Sequence, residues 1–240
     1  MIIDPAIVGR GERNALINGL IAPRPIAWVS SLSSEGAANL APFSFFGAFS
    51  FDPPVIGIGP GSRQGTNKDS LRNIKATGEF VVNLVNRELA EVANACSGEF
   101  GPEVDEWEVV GLRGEPSAVV APQRVAEAPA ALECRVMQVL ELGTPDHASN
   151  NLVVAWIQRI HVRDDAIDGY VPRPEQLDLV ARMGGDEWCT TRDRFTLPRP
   201  GSRDPANVAR DLADRRSDTT GSGEPFSPNQ SPSEAATSRA

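Results

Sequence analysis

Five short apolar runs, separated by turn-forming residues, constrain the fold of this chain more than any other feature. They span residues 26–30, 55–58, 80–85, 132–142 and 152–162, and they are rich in Val and Ile or alternate in polarity. Such runs are typical of β-strands. The segment SSEG at 33–36 follows the first run, and its Ser and Gly residues predict a turn that folds the next segment back as a hairpin.

Helix signals are fewer than strand signals. Residues 68–76 read as a helix closed by Gly78, residues 87–97 as a second helix, and residues 174–183 as a third candidate. Many strands of this length beside few helices predict a mainly β protein. The expected architecture is a closed β-barrel whose ends and edges are covered by helices.

The composition of the chain changes after Pro200. Residues 201–240 are rich in Ser, Pro, Gly and charged residues and contain almost no large apolar ones. A segment of this kind buries too little surface to offset the entropy of ordering. We therefore expect one folded domain at 1–200 and a disordered tail at 201–240, apart from a helical turn around 207–215.

Charge and residue usage disfavour several classes of function. The net charge of −9 opposes binding to nucleic acid. No apolar run approaches the ~20 residues that cross a bilayer, and the first residues do not resemble a signal peptide, so we expect a cytoplasmic protein without a membrane partner. The spacings of Cys96, Cys134, Cys189, His147 and His161 indicate neither a disulfide framework nor a metal site.

The segment GSRQGTNKDSLRNI at 61–74 predicts an anion site. A glycine-containing loop with Arg63 runs into a helix that begins near Lys68, and unpaired amides at a helix start bind phosphate. The alternative is that Asn67 or Asp69 only caps the helix while the two cations are solvated. Neither the GxGxxG nor the Walker pattern is present, so a dinucleotide fold or a nucleotide hydrolase is unsupported.

The segment NLAPFSFFGAFSFDPP at 39–54 holds five of the nine phenylalanines. Most of these rings are explained as core or interface residues on a bent strand. Core packing does not explain why the polar residues Asn39 and Ser44 stand among them beside Pro42, which interrupts sheet pairing. A flat ligand with an apolar face and polar edges explains both observations.

Six motifs in order carry a family resemblance. They are RPIAWVSS at 24–31, NLAPFSFF at 39–46, PP at 53–54, KDS at 68–70, TGEFVVN at 77–83 and RMGG at 182–185. Together they resemble the flavin reductase-like, flavoredoxin-type family over residues 21–200, without the tail. The resemblance implies an FMN-binding split β-barrel and a homodimer.

The resemblance also implies a set of cofactor-binding residues. Those expected along the flavin and its ribityl chain are Trp28, Ser30 and Ser31. Those expected at the ring edge are Asn39 and the backbone of Ala41, Pro42, Phe43, Ser44, Phe45 and Phe46. Those expected at the phosphate are Arg63, Lys68, Asp69 and Ser70. Ser31 and Ser70 stand where the family often has Thr, and Trp188 stands where it usually has Tyr.

The function implied is hydride transfer from NADH or NADPH to FMN. Hydride passes between two stacked cofactors, so the protein supplies binding, orientation and electrostatics, and we expect no catalytic acid, base or metal. The alternative is a non-enzymatic FMN-binding electron carrier with the same cofactor site. The sequence does not separate the two.

Overall fold

The structure of the protein is a computed structural model that describes residues 1–63, 66–98, 104–143, 150–197, 199, 204–210 and 212, with the backbone alone at 62, 63 and 66. The chain divides into two units, Met1–Arg192 and Asp193–Ala240. In the second unit, residues 205–210 are helical, in the region where a helical turn is expected. Residues 213–240 lie outside the described part, so the disorder of the tail stays a prediction.

The first unit contains short helices and many strands. The helices are α1 Arg10–Leu20, α2 Asp69–Thr77, α3 Ala90–Ala95, α4 Glu106–Val110 and α5 Pro174–Leu177, with a 3₁₀ turn at Asp164–Ala166. The strands are β1 Arg24–Pro25, β2 Ala27–Leu32, β3 Ala38–Phe43, β4 Phe46–Phe51, β5 Pro54–Ile58, β6 Ser62–Arg63, β7 Thr66–Asn67, β8 Glu79–Leu84, β9 Gly114–Glu115, β10 Arg124–Val125, β11 Ala130–Leu142, β12 Asn150–Val162, β13 Ile167–Asp168, β14 Val171–Pro172, β15 Val180–Arg182 and β16 Trp188–Thr190.

Seven strands form one antiparallel sheet in the order β3-β2-β8-β11-β12-β5-β4. Its two edge strands, β3 and β4, follow each other directly in sequence, and only Ser44 and Phe45 separate them. The sheet therefore curls so that its edges come together without pairing. This arrangement is a split barrel, which confirms the predicted fold class. The strand pattern alone predicts a fully closed barrel, and that prediction is wrong because the edge strands do not pair.

The barrel interior is filled by alternate residues of its strands. The buried cluster consists of Ala27, Val29, Phe43, Ile56, Ile58, Phe80, Val82, Cys134, Val153 and Ala155 from the strands, with Leu71 and Ile74 from α2. Because strand side chains alternate between faces, these positions point inward together. Two buried side chains of α2 thus join the interior, and the helix packs against β2 and β3.

A second apolar cluster covers the outer face of β2 and β3. Trp28 and Leu40 from these strands pack there with residues of α3, Trp107 of α4 and Val180 of β15. The inner and outer clusters share β2, so alternate residues of that one strand serve two different environments. This alternation decides which of its side chains reach the candidate site.

Two expected helices are shorter than predicted. The side chain of Asn86 accepts a 3.0 Å hydrogen bond from the Leu89 N–H and holds 87–89 in a turn, so α3 begins only at Ala90. The helix at 174 stops after one turn because Asp178 adopts a left-handed conformation with φ of 42°. The next residues instead form β15, which pairs with β1 and β16.

The first helix, α1, is absent from the sequence-based prediction. None of its residues is buried, so α1 is not a core-facing helix of the kind that the sequence signals detect best. It passes close to the RMGG motif, since a Cβ added at Gly184 would lie 3.2 Å from the Cα of Gly19. No helix in the described ranges is long and apolar enough to cross a membrane.

Candidate functional site

Two buried hydrogen bonds fasten the β2–β3 hairpin to α2. The amide of Asn39 donates to the hydroxyl of Ser70 over 2.8 Å, and the amide of Asn73 donates to the hydroxyl of Ser31 over 3.2 Å. Ser31 and Asn39 face each other across the β2–β3 ladder. The structure thus brings together three predicted site residues, and it adds Asn73, which the sequence analysis did not single out.

The start of α2 lies beside the end of β3. The N-cap residue is Lys68, and its side chain makes no capping hydrogen bond. Asp69 forms an ion pair with Arg72 instead of capping the helix. The N–H groups of Leu71 and Arg72 already donate to the carbonyl of Lys68, so the amides of Asp69 and Ser70 are the ones that this helix start offers to an anion.

Lys68 also connects the two predicted halves of the site. Its ammonium nitrogen lies 5.4 Å from the centroid of the Phe43 ring, within the range of a cation–π contact. The positive end of α2 and the aromatic segment are therefore neighbours. The side chain of Arg63 lies outside the described residues, so its predicted contact with the same anion stays a prediction.

The backbone of β3 offers polar groups at the open edge of the sheet. The N–H of Leu40 points away from β2 and donates to Oε2 of Glu106 over 3.3 Å. Because backbone direction alternates along a strand, the carbonyl of Pro42 also faces the open edge. The missing N–H of that proline costs no ladder hydrogen bond there.

A small pocket of about 180 Å³ adjoins this end of β3. Its lining consists of Ile26, Pro42, Phe43, Ser44, Asn94, Ser97, Arg182 and Trp188. The guanidinium carbon of Arg182 lies 5.2 Å from the Trp188 ring centroid, in a cation–π contact. An aromatic and a cationic side chain thus border the pocket together with the proline.

Arg24 holds the surroundings of this pocket in place. Its guanidinium donates to the carbonyls of Ile21 at 2.7 Å and Met183 at 2.9 Å, and to the Ser44 hydroxyl at 3.4 Å. Burial, with the nearby charge of Arg182, lowers the pKa of Arg24. Arg24 belongs to the RPIAWVSS motif, but its partners could not be read from the sequence because Met183 is 159 residues away.

Several predicted residues are placed away from the pocket. Trp28 is fully buried in the outer cluster. Ser30, on the same face, donates a 2.6 Å hydrogen bond to the carbonyl of Gln123. The side chains of both residues face away from Ser31, so any contact from them to a ligand would come through the backbone.

The remaining residues of the aromatic segment divide between the core and the surface, since Phe49 and Phe51 are exposed. Ala41 and Phe46 pack against the inner cluster. Phe45 is 47% exposed, and its Cβ would lie 2.9 Å from a Cβ added at Gly59. Gly59 therefore leaves room for Phe45 to pass, which gives a packing reason for this glycine. Within the described ranges, no three His, Cys, Asp or Glu side chains converge as a metal site.

The geometry as a whole fits a flat ligand with an anionic end. An aromatic pocket and the outward-facing carbonyl of Pro42 lie at the end of β3, and the start of α2 with Lys68 lies next to them. No side chain in the described part of the site requires a covalent role.

Comparisons with known proteins agree with this geometry. Residues 20–178 match the model of the family described as "Flavin reductase like domain". An uncharacterized protein of Deinococcus radiodurans is 38% identical over 205 residues, covering 82% of this chain and 88% of the relative.

Two solved structures are similar in both sequence and fold. Nitrilotriacetate monooxygenase component B from Bacillus cereus superposes with a TM-score of 0.79 at 29% identity, covering 82% of this chain and 98% of that one. The 2-nitrobenzoate 2-nitroreductase NbaA of Pseudomonas fluorescens superposes with a TM-score of 0.76 at 32% identity, covering 86% and 100%.

Proposed function

This chain belongs to the flavin reductase-like family, and from that premise we propose that it is an oxidoreductase that binds FMN and receives a hydride from NADH or NADPH. The observation that carries the proposal is the contact between the start of α2 and the end of β3, made by Lys68 with Phe43 and by Asn39 with Ser70. These contacts support an anion site next to an aromatic pocket.

The donor set fits FMN. The phosphate would meet the amides of Asp69 and Ser70, the ammonium of Lys68 and the hydroxyl of Ser70, since that hydroxyl accepts from Asn39 and can still donate its own proton. The ring would lie toward Pro42 and Ser44, where backbone acceptors face the open edge. One phosphate cradle favours the mononucleotide.

Hydride transfer requires mainly that the protein hold the flavin and the nicotinamide in the correct orientation. Bound flavin supplies the ability to accept a hydride and to pass electrons onward. The chain's own residues would orient it: Arg24 donates to the hydroxyl of Ser44, and the cation–π pair of Arg182 and Trp188 borders the pocket. Donors aimed at the ring edge would stabilise negative charge that develops there.

The similar solved structures also favour two classes of final electron acceptor. The similarity to 2-nitrobenzoate 2-nitroreductase over 86% of the chain favours a nitroaromatic compound as one acceptor class. The similarity to a monooxygenase component B over 82% of the chain favours delivery of reduced flavin to a separate oxygenase. Both acceptor classes require the same first step, the reduction of the flavin by NADH or NADPH.

Steady-state oxidation of NADH and of NADPH, followed by nicotinamide absorbance with FMN added, tests the first step. We expect turnover with at least one nucleotide, and the Lys68→Ala variant should need more FMN for the same rate. Turnover in the presence of a nitrobenzoate, followed by loss of the nitro compound, tests the acceptor. If the protein binds FMN but oxidises neither NADH nor NADPH, the proposal of an enzyme is wrong. The non-enzymatic electron carrier then becomes the favoured function.

A further inference from the structure

Two arginines stand directly opposite each other across β1 and β15. Arg24 pairs with Arg182 in the register of this antiparallel ladder, and like charges in such positions destabilise a sheet. Burial first, and then the charge of Arg182, lowers the pKa of Arg24. Among the described residues, no carboxylate forms an ion pair with either guanidinium, whereas Arg192 is paired with Asp178. The fold therefore holds two uncompensated positive charges together, which an anionic ligand group would balance.

These two charges lie beside the pocket of about 180 Å³ at the end of β3. Arg182 lines this pocket, and Arg24 donates a 3.4 Å hydrogen bond to the hydroxyl of Ser44, which also lines it. The described lining of the pocket contains no carboxylate. The carboxyl groups of Glu91 and Asp186 border a separate cleft of about 360 Å³ instead. The pocket thus presents positive charge to a ligand, in a chain whose net charge is −9.

The side chain of Arg182 is held in place by two contacts. Its Nη2 donates a 2.7 Å hydrogen bond to the carbonyl of Gly185, and its guanidinium carbon lies 5.2 Å from the centroid of the Trp188 ring. A guanidinium has five N–H donors, so further donors remain for a ligand. A charge that is already in position stabilises negative charge that develops near it without any rearrangement of the protein.

We propose that Arg182, with Arg24 beside it, stabilises the negative charge that hydride transfer leaves on the flavin ring, so that bound FMN is easier to reduce. The inference rests on the proposed function, because it needs the ring in the pocket that Arg182 lines. A hydride brings two electrons and one proton to the ring, and a second proton from water would neutralise the product. Two adjacent cations favour the charged form and oppose the uptake of that second proton.

The midpoint potential of bound FMN tests the role of the Arg182 charge. Anaerobic titration with dithionite against a reference dye measures this potential without turnover. We expect Arg182→Gln to weaken the binding of reduced FMN relative to oxidised FMN about tenfold, which lowers the potential by about 30 mV for two electrons. Arg182→Lys keeps the charge and should stay close to the wild-type potential. Arg113→Gln is the control, because it removes the same charge from an exposed ion pair with Glu127 outside the pocket.

The pH dependence of the wild-type potential is a second measurement, and it needs no variant. Uptake of one proton with two electrons gives a slope of about 30 mV per pH unit, and uptake of two protons doubles that slope. The slope doubles at the pH below which the reduced ring takes its second proton. We expect this transition at a lower pH for bound FMN than for free FMN, because the two arginines favour the deprotonated ring.

Each outcome decides the inference. An unchanged potential in Arg182→Gln, an equal shift in Arg182→Lys or an equal shift in Arg113→Gln overturns it. If thermal melting or flavin titration shows that Arg182→Gln does not fold or does not bind FMN, the pH measurement decides. A transition of bound FMN at the same pH as free FMN, or at a higher pH, then overturns the inference.

Failure of the proposed function gives a different result. Wild-type protein that binds no flavin would contradict the flavin site itself. FMN that binds but is reduced by neither NADH nor NADPH would contradict only the enzyme, because dithionite supplies the electrons in the measurement of the potential.

Discussion

The side-chain amide of Asn39 donates a 2.8 Å hydrogen bond to the hydroxyl of Ser70, and both residues are buried. The bond joins the edge strand β3 to the first turn of α2. A parallel bond from Asn73 to Ser31 lies beside it. The strand that carries the proposed ring site and the helix that carries the proposed phosphate site are therefore held in one fixed arrangement.

Removing either partner of the Asn39–Ser70 bond should destabilise the protein. We expect Asn39→Ala and Ser70→Ala each to lower the free energy of unfolding by about 1–3 kcal/mol, because a buried polar group loses its partner. The double variant should reveal a coupling of about 0.5–3 kcal/mol in denaturant titrations. Asn14→Ala is the control, because the Asn14 side-chain oxygen accepts a hydrogen bond from Asn18 at the exposed surface of α1. Strictly additive losses would show that the bond does not link the elements.

Lys68 should contribute to flavin affinity through its charge. Replacing it with Ala should weaken FMN binding by about 1.5–3 kcal/mol if the ammonium makes a charge-assisted hydrogen bond to the phosphate. Riboflavin, which lacks the phosphate, should lose much less. Lys75→Ala on the same helix is the matched control. Isothermal titration that gives equal affinities for the wild-type protein and the Lys68 variant would remove Lys68 from the site.

Glu133 should make stability depend on acid pH. Its carboxylate is fully buried and accepts 2.7 Å hydrogen bonds from the N–H groups of Ala118 and Val119, and it lies 2.5 Å from Nε2 of His161. Burial by itself would raise the pKa of Glu133, but the donors outweigh it and the net shift is downward. A lowered pKa means that the ionised form contributes stability above the unfolded-state pKa of about 4.3.

This contribution is lost as the pH falls from the unfolded-state pKa through the lower folded-state pKa. Glu133→Gln should therefore be less stable than the wild-type protein at neutral pH by about 1–3 kcal/mol, and the gap should narrow toward acid pH. Urea melts across this range measure it. Glu141→Gln is the control, because Glu141 lies on the same strand with its side chain 70% exposed. A gap that stays constant with pH would contradict the role of the ionised carboxylate.

We propose that a second copy of the chain covers the outer face of β4, β5 and β12. Phe49 and Phe51 are 70% and 94% exposed on β4, and Ile160 is 62% exposed on β12. A monomer rarely leaves such an apolar face in water.

Light scattering should give twice the mass of the 25.7 kDa chain. The double variant Phe49→Ser, Phe51→Ser should shift the mass toward one chain, whereas Tyr170→Ser should not, although Tyr170 is fully exposed in the β13–β14 hairpin. A monomeric wild-type protein would refute the proposal.

The sequence by itself determined the elements whose signals are local. The long strands β11 and β12 and the helix α2 lie where the apolar runs and Gly78 indicate, because strand alternation and a left-handed terminal glycine depend only on neighbouring residues. The ordered motifs also determined the family. Local signals did not predict α1, none of whose residues is buried. They also predicted helix at 178–183, where pairing of β15 with β1 and β16 overrides the helix propensity.

Only the tertiary structure decided how the site is assembled. Strand register turns Ser31 toward α2 and Ser30 toward Gln123, although the two serines are adjacent and chemically identical. Arg24 meets Met183 across 159 residues, and Glu106 reaches the Leu40 amide across 66. Such contacts depend on which faces and edges the folded barrel brings together. Local sequence patterns link only neighbouring residues, so they cannot predict contacts between residues this far apart in the chain.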